Sequence, residues 1–227
     1  NEGDYLVATS RGLSVFNPQG KAFRWNLGEE RLEQNSSDPP MFRTYVTPEA
    51  ARDNKILKNI GSLALGGSGT VYATATNSLY KFIKTGGDWQ FEKVQFADWN
   101  KNPPEFNFLL RDSKRNLWIA TSIAIYLLGN DGVIRKVNDL GGNSVFEDKS
   151  GNVWVDSGGN DIGIRIYSYQ DGSVLPSLIT TYTKKDGLIN NGFSNAVAQT
   201  SDGRIFAISD GIIHEFLPDQ KDKTPKF

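Results

Sequence analysis

The chain has 227 residues, 25 Lys and Arg against 26 Asp and Glu, a net charge of -1, and 5 Trp, 8 Tyr and 13 Phe. Near-neutrality argues against a nucleic-acid-binding or polybasic membrane-surface protein, and the aromatic content against a disordered chain. With no cysteine and one histidine, His214, disulfides, thiolate chemistry and multi-histidine metal sites are excluded, and the longest apolar run, Ile123 to Leu128, is far short of the ~20 residues of a membrane helix.

In chain order, the predicted elements are short strands separated by Gly, Asn, Asp and Ser. Gly3-Asp-Tyr-Leu-Val-Ala-Thr9 leads into strands at Leu13 to Phe16 and Ala22 to Asn26. Residues 28–58 are an insertion in which Thr47-Pro-Glu-Ala-Ala-Arg52 reads as a short capped helix. A second unit follows: Ser62 to Leu65, Gly69 to Ala75, Leu79 to Phe82 and Trp89 to Val94. The third is Phe108 to Arg111, Arg115 to Thr121, Ile125 to Leu128 and Val133 to Val137. The fourth is Ser144 to Glu147, Gly151 to Ser157, Gly163 to Tyr167 and Leu178 to Thr183. The fifth is Asn195 to Gln199, Gly203 to Ser209 and Ile212 to Phe216.

These units repeat one pattern. A Gly stands three residues before a large apolar anchor: Leu6, Tyr72, Trp118, Trp154 and Phe206, with Arg115 replacing the Gly once. The Gly supplies the positive φ that a tight hairpin turn requires, so the Arg115 hairpin is expected to be looser or differently built. Four strands per unit, recurring every ~40 to 50 residues, is the pattern of a β-propeller. The chain is therefore read as all-β, a β-propeller of four-stranded antiparallel blades, about four and a half to five of them. The units are about 1–27, 60–95, 106–138, 143–184 and 193–218. Since the chain opens inside a hairpin, the rest of a larger propeller is expected upstream, a closed five-bladed ring being the alternative. A β-sandwich would not repeat one sequence unit.

Phe146-Glu-Asp-Lys-Ser-Gly-Asn-Val-Trp-Val155 and Leu109-Leu-Arg-Asp-Ser-Lys-Arg-Asn-Leu-Trp-Ile-Ala-Thr121 resemble the two-component regulator propeller repeat. Arg11-Gly-Leu-Ser-Val-Phe-Asn-Pro18 matches its closing half, and Lys185-Asp-Gly-Leu188 with Asn190 or Asn191 resembles the loop that precedes a new unit. The resemblance covers most of the chain outside residues 28–58. Tyr72, Leu6 and Phe206 depart from it by replacing the Trp. It implies a periplasmic sensor domain of a hybrid two-component histidine kinase, binding a glycan-derived oligosaccharide or other small ligand. It further implies a homodimer in the full-length protein, with membrane attachment only through the rest of the parent chain.

The long connections at 27–59, 95–106, 156–162 and 184–193 fall at one end of the blades, and the tight hairpins at the other. Recognition usually sits on such loops. The ligand-binding candidates are Trp99 and Asn102, Asn160 and Asp161, and Lys185, Asp186, Asn190 and Asn191. Trp99 offers a face on which a sugar ring can stack, and the polar residues offer partners for hydroxyls. Each also has a plainer reading: a loop plug for Trp99, a turn cap for Asn160 and Asp161, and a solvated turn for the 185–191 cluster. Trp118 and Trp154 read as core anchors, Trp25 and Trp89 as blade packing.

No catalytic residue, metal site or cofactor motif is assigned. Asp148 and Gly151 are three apart, whereas a sialidase Asp box spaces them by two. His214 reads as an outward strand position rather than a base. A polysaccharide-cleaving propeller enzyme and a protein-interaction propeller are the alternatives to a sensor. The latter lacks the Trp-Asp and Gly-His pairs of WD repeats.

Overall fold

The computed structural model describes residues 5–9, 12–18, 24–26, 31–33, 42–45, 60–75, 77–86, 88–96, 103–157, 162–188, 197–209 and 212–216. The chain is all-β and built of propeller blades; a single 3-10 turn, Lys184–Asp186, is the helical exception among the described residues. It forms two compact units, residues 1–61 and 62–227.

The first unit holds β1 (Tyr5–Thr9), β2 (Gly12–Phe16), β3 (Arg24–Asn26), β4 (Arg31–Glu33) and β5 (Phe42–Tyr45). The strand expected at Ala22 to Asn26 does not extend the first blade. It pairs with β4 in a separate hairpin, and β5 takes the third place in the order β1-β2-β5. The β2–β5 register sets Phe42 opposite Phe16 and Tyr45 opposite Leu13. Nearness in sequence is thus a poorer guide to blade membership than the pairing the backbone makes. The short helix expected at 47–52 lies outside the described residues.

The second unit carries three complete blades and part of a fourth. The first comprises β6 (Ile60–Leu65), β7 (Val71–Ala75), β8 (Ser78–Thr85) and β9 (Asp88–Lys93). The next comprises β10 (Phe106–Arg111), β11 (Leu117–Thr121), β12 (Ile125–Leu128) and β13 (Ile134–Asn138). Then come β14 (Ser144–Glu147), β15 (Val153–Asp156), β16 (Ile164–Ser168) and β17 (Ser177–Tyr182), and last β18 (Val197–Gln199), β19 (Ile205–Ser209) and β20 (Ile212–Phe216). Each is an antiparallel meander in sequence order. We call them blades A, B, C and D.

Neighbouring blades pack face to face, so the middle strands bury both faces: all five residues of β11 and all four of β15 are buried. Trp118 has no exposed surface and sits between blades B and C with Ile125, Leu127, Val145, Val155 and Tyr167. Trp154 lies between blades C and D with Ile166, Ile205 and Phe216, its ring edge-on to Phe216 at 4.9 Å. Removing either indole would cost about 3–5 kcal/mol. Tyr72 and Phe206 occupy the equivalent position half-buried.

The hairpin turns of blades B, C and D are built alike; that of blade A closes differently, with Thr70 N–H donating to Gly67 O and Ser68 also at positive φ. In blades B, C and D the residue at the first turn position donates its N–H to the residue four on: Asp112 to Asn116 (2.9 Å), Asp148 to Asn152 (2.9 Å), Thr200 to Arg204 (2.8 Å); Gly66 to Thr70 (2.7 Å) is the blade A equivalent. The fourth turn residue has positive φ in every case: Gly69 at 74°, Arg115 at 69°, Gly151 at 79° and Gly203 at 95°. The expectation of a looser Arg115 hairpin is therefore corrected. The backbone bonds of the turn dictate its shape, and Arg115 accepts a left-handed conformation that favours glycine.

The first turn position follows the anchor it serves. Where the anchor is Trp the position is Asp: the Asp112 carboxylate accepts from Trp118 Nε1 at 2.9 Å, and the Asp148 carboxylate from Trp154 Nε1 at 2.8 Å. A buried indole N–H needs an acceptor. Where the anchor is Phe206 the position is Thr200, whose hydroxyl only caps the turn. Where it is Tyr72 the position is Gly66, because a Cβ there would come 2.8 Å from the tyrosine ring.

Candidate functional site

Within the second unit, β7, β11, β15 and β19 all run away from the tight turns. Their far ends form the loop end of the blades. Polar residues that would ordinarily be solvated are buried there: Thr121, Ser144, Asp156, Ser157 and Arg165. Hydrogen bonds from Arg165, from Asn107 and from the backbone fix the segment that crosses from blade B to blade C.

Arg165 lies on β16, in the run Ile164-Arg-Ile-Tyr167, and is 1% exposed. Its Nη1 donates to the Leu140 carbonyl at 3.0 Å and the Tyr167 hydroxyl at 3.2 Å, and its Nη2 donates to the Gly141 carbonyl. Gly141 and Gly142 permit the crossing: a Cβ on Gly141 would overlap the Ser122 carbonyl, and one on Gly142 would come 2.7 Å from Val155. Gly142 N–H donates to the Thr121 carbonyl at 2.9 Å and Asn143 N–H to the Asp156 carbonyl at 2.8 Å. Asn107 reaches across from β10, donating to Gly142 O at 2.9 Å and Asn143 Oδ1 at 3.1 Å. Ser157 Oγ donates to Gly163 O at 2.7 Å. Burial pushes the Tyr167 phenol up in pKa.

The result is a hydrogen-bonded polar floor at the loop end of blades B and C. Asp156 and Ser157 precede the 158–161 connection and Gly163 follows it. Gly163 has a φ of 85° and presses on the Tyr182 carbonyl, with Thr183 beside it. This puts the flank of the connection against the 3-10 turn bearing Lys185 and Asp186. In that turn the Asp186 carboxylate accepts from Thr183 N–H at 2.8 Å and from Thr183 Oγ1 at 3.0 Å, while Thr183 Oγ1 accepts from Lys185 N–H. Asp186 is thus engaged as a capping group, and Leu188 buries itself against Trp154 and Ile164 to hold the turn down. Lys185 is exposed. The other sequence candidates, Trp99, Asn102, Asn160, Asp161, Asn190 and Asn191, lie outside the described residues.

Sequence reasoning missed Arg165, Asn107 and Asn143. The signal for Arg165 was a charge inside an otherwise apolar strand; Asn107 and Asn143 carried none. It also placed His214 outward. His214 is 4% exposed, and β20 alternates the other way, with His214 and Phe216 inward and Ile213 outward. Burial holds the imidazole below its ordinary pKa. Among the described residues no group of three or more His, Asp or Glu gathers as a metal site, and no helix is long and apolar enough to cross a membrane.

No family model matches the chain. Among characterised proteins, 60 residues are 37% identical to Protein Ycf2 of Guizotia abyssinica, a stretch spanning 26% of this chain and 2% of that protein. Solved structures share the fold. The extracellular domain assigned to the hybrid two-component system BT4673 of B. thetaiotaomicron is 18% identical, with a TM-score of 0.57 over 93% of this chain and 31% of its own. PorZ, a surface component of the type-IX secretion system of Porphyromonas gingivalis, is 13% identical, with a TM-score of 0.62 over 94% of this chain and 30% of its own. A protein assigned as a 6-phosphogluconolactonase from Bacteroides uniformis is 12% identical, with a TM-score of 0.56 over 93% and 65%. The chain thus spans about a third of the first two proteins. At these identities the likeness concerns fold alone.

Proposed function

We propose that this chain is a non-catalytic, extracytoplasmic ligand-sensing propeller segment of a hybrid two-component system, detecting a glycan-derived ligand and passing the signal to a histidine kinase in the same polypeptide. The observation that supports it most is the pair of Asp-x-x-x-x-x-Trp hairpins at 112–118 and 148–154. They are the part of the sequence that resembles the two-component regulator repeat, and they build blades like those of a two-component extracellular domain. In this reading the polar floor around Arg165 and Asp156 is a fixed platform. The proposed ligand contacts are Asn160, Asp161, Lys185, Asn190 and Asn191, with Trp99 and Asn102. Asp186 holds the Lys185 turn in shape.

Calorimetric titration of the full chain with an oligosaccharide panel tests this. Trp99→Ala with Asn102→Ala weakens binding at least tenfold while leaving the melting temperature unchanged; retained binding in that variant removes Trp99 and Asn102 from the site. The second reading is a propeller enzyme acting on polysaccharide, a fold that a lactonase-assigned protein shares. Polysaccharide or lactone turnover that disappears in His214→Ala would establish it in place of the sensor.

A further inference from the structure

At the tight-turn end, adjacent blades of the second unit are latched turn to turn, and one latch is missing its acceptor. Between blades B and C, the Glu147 carboxylate accepts from Ser113 N–H and from Ser113 Oγ, both at 2.7 Å. Between C and D, Gln199 Oε1 accepts from Lys149 N–H at 2.8 Å. Glu147 and Gln199 are each the residue just before the first turn position, and Ser113 and Lys149 the residue just after it in the preceding blade. Between A and B the corresponding residues are Arg111 and Gly67. A guanidinium has no acceptor, so the latch cannot form. Arg111 instead donates from Nη1 to the Leu65 carbonyl at 3.1 Å and lays Nη2 over Gly67.

A cleft of about 170 Å³ opens at this joint, lined by Gly66, Gly67, Tyr72, Arg111, Arg115 and Asn130 among others. Among the described residues neither Arg111 nor Arg115 has a carboxylate partner. Arg115 is also the residue that takes the left-handed conformation the other three turns give to glycine. A strained residue of this kind, placed at a cleft, points to a use for its side chain. Arg111, Arg115 and Gly67 thus line one cleft at the joint where the other joints seat a side-chain oxygen. Guanidinium forks match a carboxylate in shape and charge.

We propose that this joint is a binding site for a small carboxylate, which completes the A–B latch from outside the chain as Glu147 completes the B–C latch from within. It lies at the opposite end of the blades from the loop-end platform and does not depend on the sensor reading. The carboxylate accepts from Gly67 N–H and the Arg111 and Arg115 guanidiniums, and its body fits a cleft floored by Tyr72.

The test uses the full chain and glutarate, either end of which presents a carboxylate on methylenes as the Glu147 side chain does, with glutaramide as the uncharged control. Glutarate is expected to give saturable shifts of the Gly67 amide and of the two guanidinium resonances by NMR, and glutaramide none. Arg115→Gly, which restores the glycine of the repeat, weakens glutarate about tenfold without lowering the melting temperature. Arg111→Glu supplies the acceptor internally, so the melting temperature holds or rises and the response to glutarate disappears. Absence of saturation by glutarate, an equal response to glutaramide, or an unchanged response in Arg111→Glu overturns the proposal.

Discussion

In the turn at 112–116 the Asp112 carboxylate takes four hydrogen bonds: from Asn116 N–H at 2.7 Å, Asn116 Nδ2 at 3.3 Å, Trp118 Nε1 at 2.9 Å and the Tyr169 hydroxyl at 2.6 Å. In the turn at 200–204 the Thr200 hydroxyl accepts from Arg204 N–H at 3.1 Å and donates toward Asp202 and the Arg204 carbonyl, all on the surface. The backbone turn is the same. The difference lies in what each ties to the core. Asp112 links a surface turn to a fully buried indole and to a tyrosine at the end of blade C, and burial together with the Asp112 charge pushes that phenol far above its ordinary pKa. Thr200 serves a phenylalanine, which asks for no acceptor. A turn can therefore be a local device or a connection between blades, and one side chain decides which.

The largest expected effect comes from cutting the stronger connection. Asp112→Ala leaves the buried Trp118 N–H and the Tyr169 hydroxyl short of an acceptor and uncaps the turn. We expect a loss of about 3–4 kcal/mol in denaturant unfolding, against about 1 kcal/mol for Thr200→Ala. Equal losses would mean that the indole bond adds nothing to the cap. The comparison sharpens further in blade C, where Asp148 serves Trp154 without a tyrosine. Asp148→Thr combined with Trp154→Phe copies the blade D pairing of Thr200 with Phe206. The double variant is expected to be less destabilised than the sum of the singles by about 1–2 kcal/mol, and strict additivity would break the link between turn residue and anchor. Smaller still, and opposite in sign, Arg115→Gly is expected to gain about 0.5–1 kcal/mol by relieving the left-handed arginine.

The Asp–Trp pairing shows what the sequence exposes and what it hides. The repeating Gly, the anchors and the strands of blades A to D were legible, because turn geometry and two-faced burial act within a few residues. Ile125–Leu128, Ser144–Glu147 and Ile212–Phe216 appear where the apolar runs place them. Three readings needed distance information. β5 falls within residues 28–58, read as an insertion, and only its pairing partner reveals that it, rather than the strand at Ala22 to Asn26, joins β2. Arg115 looked like a departure from the turn, yet backbone bonds carry the turn whatever side chain is present. Asn107 and Asn143 are 36 positions apart, and nothing local marks them as one network. The loop-end candidates remained a choice of residue types on long connections, since a ligand site on loops has no period to betray it.

His214 gives the smallest effect and a test of which face of β20 is inward. Its folded pKa is lowered from 6.5 by burial, so the unfolded chain binds more protons as pH falls below that value. Stability is then full above 6.5 and declines as pH drops toward the lowered folded pKa. Carboxylates begin to titrate only below about 5, which leaves a window of about 5 to 6.5 in which His214 acts alone among the ordinary side chains. Unfolding free energy measured across that window should fall with decreasing pH in the native chain and stay flat in His214→Leu. A native chain that is itself flat there would mean that the imidazole titrates as in water, and that the alternation of β20 should be reversed, with Ile213 turned in and His214 out.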